Sequence, residues 1–196
     1  HLAANMAMSL AIKKKKVLLI DGDLRHGSSS MLIGSPGEGL SDYLNGRIAD
    51  IHDILHKGEE SGLVKYFDLI PIGTIPPNPT ELLFTPLLEQ MIKTMRQEYD
   101  YVFIDCPPIE VVADTPIYEQ FADRTIFVVR AGLMERNMLP EIDALYKEKK
   151  FKNMTMILNG TKARGGRYGS HYGYGYGYGY GYGYNYNKEK SGGAKS

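Results

Sequence analysis

The stretch Val17-Leu18-Leu19-Ile20-Asp21-Gly22-Asp23-Leu24-Arg25 is an apolar run that ends abruptly in two carboxylates and a guanidinium. A strand buried in a parallel sheet has this pattern, because its polar residues are placed where the chain leaves the sheet. Ligands of open α/β sheets bind in the crevice beyond such strand ends. The stretch therefore predicts a parallel strand whose end contributes Asp21 and Asp23 to a ligand site.

A second apolar run with the same ending occurs later in the chain, at Tyr101-Val102-Phe103-Ile104-Asp105-Cys106-Pro107-Pro108. If the two strands are neighbours in the sheet, their ends bring Asp21, Asp23 and Asp105 together. Three clustered carboxylates repel one another, so we expect a cation among them. In a sheet of this topology the expected cation is Mg²⁺ carrying a nucleotide phosphate.

Helical and strand patterns alternate along the rest of the first 160 residues. We expect further strands over 67–73, 125–130 and 154–158, helices over 2–13, 115–122 and 138–149, and short helical pieces over 40–44 and 51–55. One more helix, capped by Asn78 or Thr80, has apolar residues at four-residue spacing: Leu83, Leu87, Met91 and Met95. This alternation predicts an α/β domain over residues 1–160 with a doubly wound, mostly parallel sheet.

Two segments give local predictions. The helix over 2–13 has small and apolar residues on nearly all sides, which predicts burial against the sheet. The stretch 25–30 is a polar turn that is rich in hydrogen-bond donors. Considered without the two Asp-ended strands, this turn favours a solvated loop.

Residues 161–196 differ in composition from the rest of the chain. Glycine at every second position leaves little to pack, so this segment is expected to be a disordered tail. The tail has a net charge of +5 and the first 160 residues have −5, so an acidic domain bears a basic tail. Nine tyrosines in the tail are expected to be exposed: Tyr168, Tyr172, Tyr174, Tyr176, Tyr178, Tyr180, Tyr182, Tyr184 and Tyr186.

The bulk composition limits the class of protein. The single cysteine, Cys106, excludes an intrachain disulfide and is typical of a reducing compartment. No apolar run approaches the roughly 18 residues of a membrane span, so a soluble domain is expected. The sequence enters a helical pattern directly after His1, without a capping residue or a signal peptide, and we interpret it as a fragment of a longer protein.

Four motifs, in this order, resemble the bacterial tyrosine kinases of capsular and exopolysaccharide biosynthesis, a branch of the P-loop ATPases related to the cell-division and partition ATPases. Ile20-Asp21-Gly22-Asp23-Leu24-Arg25 is similar to the second Walker-type motif of these kinases, and Phe103-Ile104-Asp105-Cys106-Pro107-Pro108 to their Walker B motif. Ile75-Pro76-Pro77-Asn78-Pro79-Thr80-Glu81-Leu82-Leu83 and the tyrosine cluster are also typical of the family. The resemblance covers essentially the whole chain and implies an α/β fold of the P-loop NTPase type.

The resemblance implies a tyrosine autokinase that uses ATP and Mg²⁺ and phosphorylates the nine tail tyrosines. Asp21 is implied as the catalytic base and a metal ligand, with Asp23 in support, and Asp105 as the residue that holds the metal's water shell in the nucleotide site. Arg25 either steadies phosphate charge or pairs with Asp23. Asn159 either contacts adenine or forms a turn.

The resemblance also implies partners and a location. Family members self-associate and phosphorylate neighbouring copies. They act with a membrane polysaccharide co-polymerase domain or adaptor and with a tyrosine phosphatase, in the cytoplasm at the inner face of the cell membrane. No nucleic-acid partner is expected. A flexible tail of this length spans roughly 33 Å, so phosphate transfer within one chain and between chains are both accessible.

The sequence departs from the family in one respect, because it contains no Gly-Lys-Ser/Thr phosphate loop. Its opening helix is similar to the helix that follows this loop in the family. We therefore expect the chain by itself to bind ATP poorly and to be inactive, whereas a longer parent protein would bind it.

Two alternatives stay open at this point. A partition or division ATPase would share the fold and both aspartate motifs, but it would have no use for exposed tyrosines, and phosphotyrosine in the tail would exclude it. A non-catalytic interaction protein is the other alternative, since Arg164-Gly165-Gly166-Arg167-Tyr168 and the Gly-Tyr repeat are similar to tails that bind single-stranded RNA or form condensates. Salt-dependent RNA binding by the tail would favour it.

Overall fold

A computed structural model describes residues 2–108, 115–134 and 136–161, with only the backbone of Arg136. The nine tail tyrosines lie outside the described residues. The division of the chain into a domain over 1–160 and a tail over 161–196 therefore stays a prediction.

Helices and strands alternate along the described chain. The helices are α1 (Leu2–Ile12), α2 (Leu40–Leu44), α3 (Pro79–Leu83), α4 (Pro86–Glu98), α5 (Thr115–Glu119) and α6 (Leu139–Lys147). The strands are β1 (Val17–Asp21), β2 (His56–Lys57), β3 (Phe67–Ile70), β4 (Tyr101–Asp105), β5 (Ile126–Arg130) and β6 (Thr155–Asn159). Single 3₁₀ turns cover Ser30–Ile33, Ile51–Ile54 and Arg136–Met138. In the described ranges, none of the helices has the length and apolar character that crossing a membrane requires.

β1 lies inside a four-stranded sheet of order β2-β3-β1-β4. It runs parallel to β3 on one side and to β4 on the other, with Asp21 of β1 opposite Asp105 of β4. β5 and β6 form a second parallel pair, and within the described residues no hydrogen-bonded ladder joins β4 to β5. The α/β class and the mostly parallel sheet are confirmed. β2, a two-residue edge strand that pairs antiparallel with β3, is absent from the predicted strands.

The two faces of β1 contribute to two separate apolar clusters. Val17 and Leu19 belong to a cluster with the small side chains of α1, and Leu18 and Ile20 belong to one with residues of α2, α3 and α4. All five residues of β1 are buried, as the continuous apolar run predicts for a strand covered on both faces. A polar group on this strand can therefore reach a ligand only where the strand ends, which is the position of Asp21.

Helix α1 is less buried than the sequence analysis predicts. Only Ala4, Ala7 and Ala11 are buried, and the side chain of Ile12 is 70% exposed. The three alanines recur every three to four residues and so share one face of the helix. Because small side chains allow close approach along that face alone, the other sides of α1 stay partly accessible.

The single helix predicted after Asn78 is in fact two helices. Helix α3 ends at Leu83 and α4 begins at Pro86, with Thr85 between them in an extended conformation. The break lies at Pro86, because proline has no N–H to donate and its ring disfavours a helical conformation of the preceding residue. The short helical pieces predicted over 40–44 and 51–55 are confirmed as α2 and a 3₁₀ turn.

His52 connects the 3₁₀ turn over Ile51–Ile54 to the end of α4, and this contact gives a pH-dependent prediction. Its Nδ1 lies 2.8 Å from Asp50 Oδ1 and its Nε2 lies 2.9 Å from Glu98 Oε1. Hydrogen bonds to these two carboxylates raise the pKa of His52 above 6.5. Protonated His52 therefore stabilises the folded state fully below pH 6.5, and this stabilisation is lost as the pH rises through the higher pKa that His52 has in the folded state.

We expect His52→Gln to lower the free energy of unfolding in acid by less than about 1 kcal/mol, because the ring is 47% exposed to solvent. Urea unfolding of both proteins at about pH 5.5 and about pH 9 measures the effect on either side of the transition. A difference that is as large at the higher pH would contradict the prediction.

Candidate active site

The ends of β1 and β4 lie side by side at one edge of the sheet. Beyond the register pair of Asp21 and Asp105, the Gly22 N–H donates to the carbonyl oxygen of Asp105 at 2.9 Å. A Cβ on Gly22 would lie 2.9 Å from Ile104 Cγ2 and 3.1 Å from that carbonyl oxygen, so glycine permits the close approach. The prediction that the two strands ending in Asp are neighbours in the sheet is confirmed.

Asp21 is completely buried, and its two carboxylate oxygens have different surroundings. Oδ2 accepts two hydrogen bonds from Ser30, from the backbone N–H at 2.6 Å and from the hydroxyl at 2.7 Å. Oδ1 has no hydrogen-bond partner among the described residues. Burial raises the pKa of this carboxyl, the bonds from Ser30 oppose the rise, the neighbouring Asp105 adds to it, and the nearby backbone N–H of Asp23 opposes it more weakly. Asp21 thus keeps one buried oxygen at the end of β1 whose hydrogen-bonding capacity the described residues do not meet.

Asp105 is half-buried, and it is bound by Ser29, the residue before Ser30 in the turn after β1. The hydroxyl of Ser29 donates to Asp105 Oδ2 at 2.5 Å. The two successive serines of this turn therefore each bind one of the two neighbouring carboxylates.

The carboxylate of Asp23 binds the turn that follows β1. Its Oδ1 accepts from the backbone N–H groups of Arg25 at 3.1 Å and His26 at 3.3 Å, and its Oδ2 lies 3.1 Å from His26 Nδ1. In the described ranges, no three His, Cys, Asp or Glu side chains are grouped so that they could hold a metal ion. The structure brings Asp21 and Asp105 together, and the support of a metal by Asp23 stays a prediction.

Arg25 joins the end of β1 to the start of α3. One of its guanidinium nitrogens donates to the hydroxyl of Thr80 at 3.0 Å, while its backbone N–H binds Asp23. The structure thus connects two of the motifs on which the family resemblance rests. The two roles considered for Arg25 both stay predictions.

Asn159 belongs to a different sheet from Asp21 and Asp105. It is the exposed last residue of β6, in the two-stranded sheet, and its carbonyl oxygen accepts from the N–H of Ala131 at 2.8 Å. Its contact with adenine stays a prediction.

Sequence reasoning missed Ser29 and Ser30 as site residues. Both are only 1% exposed, whereas the donor-rich turn considered alone favoured a solvated loop. The available signal was the pair of Asp-ended strands, because buried carboxylates require donors and the turn after the first strand is the nearest source of hydroxyl groups.

Comparison with known proteins identifies the family. The profile of the AAA domain family matches residues 2–147. The chain is 36% identical over 163 residues to AmsA of Erwinia amylovora, covering 83% of this chain and 20% of AmsA. It is 33% identical over 171 residues to the tyrosine-protein kinase CpsD of Streptococcus agalactiae, covering 86% of this chain and 72% of CpsD. The chain belongs to the bacterial tyrosine-protein kinases.

Solved structures agree with membership of this kinase family. The kinase domain of the Escherichia coli tyrosine kinase ETK superimposes with a TM-score of 0.73 at 31% identity, covering 89% of this chain and 66% of that chain. The septum site-determining protein MinD of Pyrococcus horikoshii, solved with Mg-ADP, has a TM-score of 0.62 at 22% identity, covering 80% of this chain and 62% of that chain. The likeness to MinD shows the fold alone.

The residues present at the strand ends fit a magnesium ion. Mg²⁺ prefers oxygen ligands, keeps several waters and is held in proteins by one or two carboxylates. Asp21 offers a buried oxygen without a partner in the described chain, and Asp105 lies beside it. Two carboxylates at the ends of neighbouring strands therefore meet the ligand preference of this ion.

Proposed function

We propose that the protein is an ATP-dependent tyrosine kinase that phosphorylates its own C-terminal tyrosines. The observation that carries this proposal is Asp21, a buried carboxylate with a raised pKa and one oxygen without a partner in the described chain, at the sheet edge where this family is expected to bind a nucleotide. The proposal includes ATP and Mg²⁺ as the ligands of this edge.

The proposed chemistry assigns the proton to Asp21. A tyrosine phenol has a pKa near 10 and is a poor nucleophile at neutral pH. Asp21 Oδ1 would accept the phenolic proton as the phosphoryl group passes from ATP to the phenolic oxygen and ADP leaves. A raised pKa makes the carboxylate a better proton acceptor. Bound Mg²⁺ supplies neutralisation of the phosphate charge.

The other predicted residues would act around this centre. Asp105 would hold the water shell of the metal through the oxygen that is not bound by Ser29, and Asp23 would support the turn that carries Arg25. Arg25 would stabilise phosphate charge and Asn159 would contact adenine.

The charge of the tail suggests how phosphorylation would regulate self-association. Each phosphotyrosine adds about −1.5 to −2 charges, so a few phosphates reverse the tail's net charge of +5. We propose that unmodified tails hold neighbouring acidic domains together and that phosphorylated tails release them. If a tail-deleted protein forms the same oligomers as the intact protein in analytical ultracentrifugation, this mechanism is wrong.

The proposed partners and process are those that the family resemblance implies. We propose that the kinase regulates capsular or exopolysaccharide synthesis and export, together with a membrane co-polymerase domain or adaptor and a tyrosine phosphatase, at the inner face of the cell membrane.

Phosphosite mapping tests the proposed activity. Two proteins are compared: the chain of 196 residues, and the same chain extended at its N terminus by a phosphate-binding loop from a family member. Both are incubated with ATP and Mg²⁺ and analysed by intact mass and peptide mapping. We expect phosphate on tyrosines between Tyr168 and Tyr186 in the extended chain and little in the printed chain, because the loop supplies the missing phosphate contacts. A variant with all nine tail tyrosines changed to phenylalanine is the control.

ATP hydrolysis with an unmodified tail would contradict a tyrosine kinase and favour a partition-type ATPase. Salt-dependent RNA binding by an unmodified tail, without hydrolysis, would favour the interaction protein.

A further inference from the structure

Ser30 lies between Asp21 and the end of β3, and it makes three hydrogen bonds there. Its N–H and its hydroxyl both donate to Asp21 Oδ2. Its Oγ also accepts from the backbone N–H of Ile72 at 2.9 Å. Ser30 is almost completely buried, and so is Ile72.

The bond from Ile72 determines where the Ser30 hydroxyl points. A hydroxyl donates one hydrogen and accepts through its lone pairs. Since the Ile72 N–H already points at Oγ, the hydroxyl hydrogen turns to the carboxylate. Asp21 Oδ2 therefore receives two donors from one residue, whereas Oδ1 makes no hydrogen bond within the described chain and the Asp23 N–H near this carboxyl acts on it only weakly.

We propose that Ser30 is a positioning residue that fixes the orientation of the Asp21 carboxylate, so that the oxygen not bound by Ser30 is the one presented to metal and substrate. The proposal rests on the proposed function, and it concerns a residue that no sequence motif pointed to. Without the Ser30 hydroxyl, Oδ2 keeps only the backbone N–H, and the Asp21 side chain can turn about its Cα–Cβ and Cβ–Cγ bonds, so that neither oxygen is held in one place. The Ile72 N–H would also lose its acceptor.

Metal binding provides the first test. When a residue that hydrogen-bonds to a metal ligand and orients it is removed, metal affinity falls by about 10–100-fold. We expect Ser30→Ala to weaken Mn²⁺ binding by about tenfold or more, as measured by electron paramagnetic resonance of free Mn²⁺. Ser28→Ala is the matched control, because Ser28 is exposed in the same turn. Ser30→Thr keeps the hydroxyl and should restore most of the affinity.

The side-chain rotamer of Asp21 provides the second test, which needs no metal. We expect three-bond NMR couplings to show one χ1 rotamer of Asp21 in the wild type, in Ser28→Ala and in Ser30→Thr, and averaging between rotamers in Ser30→Ala. A single unchanged rotamer in a folded Ser30→Ala protein would overturn the proposal. If Ser30→Ala does not fold, averaging of Asp21 in the wild type itself would overturn it.

The two tests separate this proposal from the proposed function. Equal Mn²⁺ affinity of the wild type and Ser30→Ala overturns the positioning role and leaves the kinase proposal standing. A wild-type chain that binds no Mn²⁺ contradicts the proposed metal site, and the rotamer of Asp21 then decides the positioning role by itself.

Discussion

Asp21→Asn is expected to reduce phosphorylation of the tail tyrosines by about 1,000-fold or more in the chain extended with a phosphate-binding loop. An amide cannot accept the phenolic proton, and it is a weaker ligand than a carboxylate for Mg²⁺. The measurement is the rate of phosphate incorporation into the tail at saturating ATP and Mg²⁺. Asp53→Asn is the matched control, because Asp53 is exposed and undergoes the same chemical change.

The same substitution should not destabilise the fold. Burial raises the pKa of Asp21 above 3.8, so the folded state binds this proton more tightly than the unfolded state. The stabilisation from that proton is present below pH 3.8 and is lost as the pH rises through the folded pKa, so ionised Asp21 opposes folding at neutral pH. We expect the Tm of Asp21→Asn to equal or exceed that of the wild type. Undiminished phosphorylation in this variant would show that Asp21 is not the base, and a marked fall in Tm would show that Asp21 has a structural role.

Gly39→Ala is expected to lower the free energy of unfolding by about 3 kcal/mol or more. A Cβ at this position would lie 2.3 Å from the carbonyl oxygen of Pro71 and 2.4 Å from the backbone nitrogen of Gly73. These are backbone atoms, so relief requires α2 to move away from the segment after β3. That movement would break the bonds from the Leu40 and Ser41 N–H groups to the carbonyl oxygens of residues 71 and 72.

Gly37→Ala is the matched control for this prediction. It lies two residues earlier, and nothing lies within 4 Å of the Cβ that the substitution adds. We expect the control to change the free energy of unfolding by less than about 0.5 kcal/mol. Urea unfolding followed by circular dichroism measures both variants, and equal stabilities would mean that the approach between α2 and the chain after β3 is not tight.

Local patterns predicted the sheet and the central pair of carboxylates. β1 could be predicted because a strand covered on both faces needs an unbroken apolar run, and its partner β4 repeats the same pattern with the same ending. Asp21 and Asp105 meet because parallel neighbours in register end at the same edge. The break at Pro86 was visible in the sequence, but the four-residue spacing of apolar positions continues through it and favoured one helix.

The residues that complete the site could not be predicted in the same way. Ser29 and Ser30 have the composition of a surface turn, yet they are buried where they bind residues distant in sequence, Asp105 and Ile72. Asp23 lies two residues beyond the end of β1, and its carboxylate binds backbone N–H groups of its own turn. The exposed sides of α1 depend on how much of the sheet one helix covers, which composition does not specify.

The backbone of Ile72 is hydrogen-bonded through both of its polar groups, since its carbonyl oxygen accepts from the Ser41 N–H and its N–H donates to Ser30 Oγ. Three hydrogen bonds, through Ile72 and Ser30, therefore connect helix α2 to the Asp21 carboxylate. The orientation of the Asp21 carboxylate thus depends on the packing of α2 as well as on the strand that carries it.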